Sequence, residues 1–175
     1  MSWSSQVASW QAFYATAGGG ATALVGLLFV ALSMQVEVMV SRSDVRALAG
    51  RILNSFLSAI AVALVMLMPS PGPAVTGEIV LVLAVFNLLA TARSLWTGLG
   101  AGDRLLQVAH LLRRFAAGVI ANVGLVGIGV ALHAGVSVFY SLALYMIVVL
   151  ATGVYNTWDL ILRVAAEGRA KRPAA

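Results

Sequence analysis

The chain reads as an all-α integral membrane protein with five transmembrane helices, its N-terminus outside and C-terminus inside, and a short amphipathic interfacial helix ahead of the first span. Three observations predict this. First, 61% of the 175 residues are hydrophobic and only 10% charged, against roughly 45–50% and about 25% in an average soluble domain. With a mean hydropathy of +0.98, a water-soluble globule could not cover its own surface, so the bilayer is the main solvent. Second, the uncharged runs have membrane-spanning lengths, except in the third span, where only the 14 residues Ile79–Ala92 are uncharged and the length is reached by taking in Glu78 and Arg93. Third, the basic residues fall in only three groups along the chain. Five spans of ~20 residues consume about 100 residues, which leaves short loops and tails and no room for a soluble catalytic domain.

The opening segment, residues 1–12, is expected to lie on the outer surface. Trp3, Val7, Trp10 and Tyr14 recur at helical spacing on one face, with Ser4, Ser5 and Gln11 elsewhere, and Trp and Tyr favour the interface. The first span is Phe13–Met34. A secretory signal normally carries Lys or Arg before its apolar core; here the first basic residue is Arg42, so the helix is expected to be retained. The second span is Leu48–Met68, opened by Ser41 and Asp44 as an S-x-x-D start signal. It is stopped by Pro69-Ser70-Pro71-Gly72-Pro73, since three prolines in five residues cannot continue a helix. The third span runs from about Val75 to Trp96, with Glu78 at one interface and Arg93 snorkelling to the other. From Phe115 to Trp158 no residue carries a formal charge. His133, Gly135 and Ser137 divide this run into spans 115–132 and 138–158. The membrane domain thus covers residues 13–165, and 166–175 form a basic cytoplasmic tail.

Orientation comes from the basic residues. Arg42, Arg46 and Arg51 flank the first connection. Arg93, Arg104, Arg113 and Arg114 flank the third, and Arg163, Arg169, Lys171 and Arg172 follow the fifth span. The N-terminus and the second and fourth connections have none, which assigns them to the outside. A pI near 10.5 raises a nucleic-acid reading, but charges straddling helix ends set topology beside anionic lipid, so the expected partner is the bilayer and not nucleic acid. Asp103 to Arg114 is a second amphipathic stretch, expected to be a cytoplasmic overhang capped by Asp103. The Gly98-x-Gly100-x-Gly102 run before it lacks the preceding strand that a phosphate loop needs.

Small residues recur four apart in the first span, as Gly18, Thr22, Gly26 and as Ala15, Gly19, Ala23, and the fourth span carries Gly118, Gly124, Gly127 and Gly129. Such faces allow close backbone approach in lipid. They fit either packing within one bundle or self-association between subunits. Asparagines are the most informative polar set. Asn54, Asn87 and Asn122 lie in the inner halves of spans two, three and four, and Asn156 lies near the inner end of span five, accompanied by Ser55, Ser58, Thr91 and Thr152. Amides in hydrocarbon are costly unless they meet protein or water. These therefore form either interhelical hydrogen bonds or the lining of a polar cavity or pore.

Catalytic chemistry finds no support in these residues. There are no cysteines, which excludes disulfides, thiolate metal sites and cysteine nucleophiles. No carboxylate lies at mid-membrane, which counts against a proton-coupled pump. Glu78, the one outer acid, is a candidate for attracting cations to a pore mouth. The two histidines, 23 residues apart, sit near opposite faces and cannot share a haem within one chain. No cofactor, metal or enzyme activity is expected.

The stretch Gly18-Gly-Gly-Ala-Thr-Ala-Leu-Val-Gly-Leu-Leu-Phe-Val-Ala-Leu-Ser33 resembles the first helix of small, multi-span bacterial membrane proteins of actinobacterial type. That group has no established activity, so the resemblance implies a bacterial inner-membrane location and no site residues. The expected function is a small homo-oligomeric channel or pore-like protein. The alternatives are an accessory or regulatory subunit of a larger membrane complex, or a binder of lipophilic ligands. Asparagines facing a symmetry axis favour the channel; asparagines paired inside one bundle favour the subunit.

Overall fold

The computed structural model describes the backbone of residues 2–34, 36–41, 43–69, 72–99 and 104–170, and their side chains except at 37–39, 43–44, 94–99, 104–117 and 163–170. These residues form α1 (Trp3–Ser33), α2 (Val36–Ser41), α3 (Ser43–Leu67), α4 (Pro73–Leu99), α5 (Arg104–His133) and α6 (Phe139–Ala170), with no strand among them. Four helical segments are long and apolar enough to cross a membrane: Trp3–Ser33, Val45–Leu67, Pro73–Arg93 and Phe139–Leu162. The described side chains of α5 add a shorter apolar stretch, Gly118–His133. The protein is therefore an all-helical, multi-pass membrane protein.

Helix boundaries follow local chemistry. Ser2 caps α1, its hydroxyl accepting from the Ser5 backbone N–H. Pro73 occupies the first turn of α4, where a missing N–H costs nothing. Gly135 ends α5 with φ +76°. Its N–H donates to Leu132 O and that of Val136 to Ala131 O, both at 2.9 Å, in a Schellman arrangement that satisfies the last carbonyls.

Two expectations about boundaries are corrected. The aromatic segment before the first span is not a separate surface helix, because residues 3–33 form one continuous helix. Neither Pro nor Gly interrupts residues 3–17, and unbroken helix keeps every backbone group bonded in an apolar medium. Its aromatic face packs on α6: Trp3 and Trp10 meet the Phe139 ring at centroid distances of 5.2 and 6.2 Å. Ser41, expected to open the second span, is the last residue of α2. Asp44 and Trp96 have side chains outside the described residues, as does the Asp103–Arg114 stretch. Within that stretch Arg104–Arg114 is helical backbone continuous with the rest of α5. Helix α6 also runs on through the first half of the expected tail, to Ala170.

Helix α3 is central. It packs against α1, α4 and α6, while α5 lies chiefly on α4. One core cluster joins five helices through Tyr14, Ala63, Val80, Leu125 and Met146, among others. A second gathers at the other end of α1 and α3 around Leu28, Ile52, Phe56 and Leu160. The outer shell is apolar as well: Leu27, Phe86, Ile120 and Leu144 are all more than 60% exposed. In water such a surface would drive aggregation; in a bilayer it is the lipid contact. Hydroxyls on the spans are neutralised locally. Thr22, Ser55, Thr91, Thr152 and Thr157 each donate to the carbonyl four residues back, at 2.7–3.1 Å.

Candidate functional site

The sequence places three asparagines at similar depth on three helices, and the structure joins them in one hydrogen-bonded layer. Asn54 of α3 donates from Nδ2 to Asn87 Oδ1 of α4 at 3.0 Å. Asn87 Nδ2 donates to Ser58 Oγ on α3 at 3.0 Å. Ser58 Oγ is in turn 2.8 Å from the Tyr145 hydroxyl of α6. On the α5 side, Asn122 Nδ2 donates to Thr91 Oγ1 at 3.1 Å, and Thr91 Oγ1 donates to the Asn87 backbone carbonyl at 2.8 Å. The chain of contacts ties α3, α4, α5 and α6 together. Asn87 and Ser58 are 4% and 7% exposed, so their partners are protein groups. Among the described residues no buried side-chain nitrogen or oxygen lacks a partner. In a low-dielectric interior such a closed set holds its members in one geometry, because breaking any link orphans a buried polar group.

Asn156 stands apart from this layer, half-buried on α6. The periodicity of α6 explains the separation: Tyr145 and Asn156 are eleven residues apart, three helical turns along the axis. Tyr145 is the functional neighbour that reading the asparagines alone misses. Its signal in the sequence is its depth: of Tyr140, Tyr145 and Tyr155 in the fifth span, Tyr145 lies farthest from the span's ends, and at that depth a phenol requires a hydrogen-bond partner.

The small-residue faces divide in a way that sequence spacing does not reveal. A Cβ on Gly18 would stand 2.7 Å from Ala63 Cβ, so Gly18 permits the close approach of α1 and α3. Gly19 and Gly26 have open space at the corresponding point, as do Gly118, Gly124 and Gly127 on α5, and Thr22 is exposed. Residues four apart drift ~40° around a helix, so Gly26 has turned ~80° from Gly18. The buried seam of α1 alternates steps of four and three, through Tyr14, Gly18, Ala21 and Leu28. Besides Gly18, tight packing falls to Gly129 of the fourth-span set and to Gly77 and Gly153 outside both sets. Gly77 abuts the backbone of His133 and Gly129, Gly129 abuts Leu81, and Gly153 would place a Cβ 2.6 Å from the Phe56 ring.

Glu78 sits on the rim, 3.6 Å from His133 Nδ1, with both side chains more than half exposed. The Gly77–His133 approach brings the two helices close enough for that pairing. Comparison with known proteins finds no matching family model, no matching curated protein and no matching solved structure.

Proposed function

We propose that this chain is a non-enzymatic accessory subunit of a bacterial inner-membrane assembly, acting by lateral packing of its helices rather than by conducting ions. In this reading α5 completes a fifth span, the basic helix ends face the cytoplasm, and the N-terminus is outside. The observation that carries it is the closed amide layer. Asn54 bonds Asn87, Asn87 bonds Ser58, and Asn122 bonds Thr91, so each amide is committed to a neighbouring helix, which favours a packing role over the lining of a wet path. The layer instead acts as an internal clamp. The open faces at Gly19 and Gly26 on α1 and at Gly118, Gly124 and Gly127 on α5 are then the surfaces on which neighbouring helices, of another copy or of a partner, come close.

The test is the mass of the protein extracted in mild detergent, with and without bulk on those faces, beside ion flux in liposomes. An assembly larger than the monomer is expected. Gly26→Leu and Gly124→Leu should reduce it to monomer without lowering the monomer's unfolding midpoint. No flux is expected at either voltage sign. A wild-type monomer in native membrane extracts overturns the subunit reading, and sustained flux by the pure protein returns it to a channel formed between copies.

A further inference from the structure

A groove of about 240 Å³ opens between the ends of α1 and α3 that adjoin the first basic connection. Phe29 and Leu32 of α1 and Leu53 of α3 wall it, Ala49 and Gly50 line it between them, and Arg46 stands at its α3 N-terminal end. Arg46, Gly50 and Leu53 follow steps of four and three, so they form one stripe of α3 about 10 Å long. Gly50 has no atom within 4 Å of where a Cβ would stand, which keeps the slot open. Arg46 is exposed and lies in the first turn of the segment Val45–Leu67 that is long enough to cross the membrane. The groove therefore begins at a cation at interface depth and descends over apolar side chains.

We propose that this groove is a binding site for one anionic phospholipid, with the phosphate on the Arg46 guanidinium and an acyl chain along Phe29, Leu32 and Leu53. Its chemistry runs in the same order as the lipid's. Guanidinium is weakly hydrated and offers paired donors to phosphate oxygens, and the wall beyond it is hydrocarbon. Charge is complementary on the larger scale too. In the sequence all eleven basic residues flank the first or third connection or follow the last span, with five of the six acidic ones, and Glu78 alone follows the second connection. That the lipid comes from the cytoplasmic leaflet rests on the orientation proposed above; the binding itself does not.

The experiment is native mass spectrometry of the delipidated protein titrated with dioleoylphosphatidylglycerol or dioleoylphosphatidylcholine. Wild type should retain one phosphatidylglycerol per chain, about fivefold more tightly than phosphatidylcholine, the contribution of one interfacial arginine. Arg46→Gln should abolish that preference. Gly50→Leu should fill the slot and weaken both lipids, while Gly20→Leu, a bulky change at an open glycine elsewhere, should leave binding unchanged. Circular dichroism checks that each variant folds, and Arg46→Gln decides alone if Gly50→Leu does not. Equal retention of the two lipids by wild type, or a wild-type preference in Arg46→Gln, overturns the proposal. So does a dimer that Gly50→Leu dissociates, since a second copy would then occupy the groove. The lipid-retention results depend neither on membrane orientation nor on the assembly mass, so this site and the subunit reading stand or fall separately.

Discussion

Asn87 on α4 bridges two residues one helical turn apart on α3: its carbonyl oxygen accepts from Asn54 Nδ2 and its amide donates to Ser58 Oγ, each at 3.0 Å. A single side chain thus fixes both the rotation and the height of α4 against α3. An apolar residue of the same volume could fill the space but would not choose between registers one turn apart.

Asn87→Leu orphans the Asn54 amide and one bond of Ser58, so it should lower unfolding stability in mixed micelles by about 2 kcal/mol. Asn122→Leu breaks one bond to Thr91 and should cost about 1 kcal/mol or less. In a double-mutant cycle, Asn54→Leu and Asn87→Leu should be coupled by roughly 0.5–1.5 kcal/mol. Strict additivity would show that the two amides do not meet.

Glycines should sort by contact rather than by spacing. Gly77→Ala forces a methyl into the His133 and Gly129 backbones, which cannot rotate away, and should cost about 1–3 kcal/mol. Gly26→Ala and Gly124→Ala meet open space and should be neutral or stabilise by up to ~1 kcal/mol through helix propensity. Thermal unfolding in one detergent reads all three. Equal effects at Gly77 and Gly26 would refute the packing.

Gly135→Ala tests the α5–α6 turn. At φ +76° a Cβ costs roughly 1–2 kcal/mol, with no lost contact because the surrounding space is empty. Gly135→Asn should recover part of that loss, since Asn tolerates the left-handed region. Measured midpoints that do not rank Gly above Asn above Ala would contradict the turn geometry.

Orientation is checked by reporters. A phosphatase or fluorescent protein fused after Ala175 should read cytoplasmic, and an N-terminal tag should be accessible to externally added protease. An externally placed C-terminus would refute the five-span reading, because the basic helix ends would then be outside.

Membrane residence, the all-helical class and one end of most helices are written locally in the chain. Transfer from water to lipid is decided residue by residue, so a run such as Phe13–Met34 announces itself without reference to any neighbour. Prolines 69, 71 and 73 and the Gly135 turn are likewise local, because they act on their own backbone dihedrals. The existence of a polar layer was also readable: three amides at similar depth in spans two to four are too costly to leave unmatched. What those amides touch was not. Partnership depends on how each helix is rotated about its own axis and where it crosses the next, and both follow from the packing of all the helices at once. That is why Asn87 found Ser58, why Tyr145 rather than Asn156 joined the layer, and why Gly18 is buried while Gly26, two steps of four along the same helix, is open. The same reason accounts for the aromatic N-terminal segment. Its sequence alone fitted the headgroup layer, and only the neighbouring start of α6, with Phe139 beside Trp3 and Trp10, supplied rings for it to pack against.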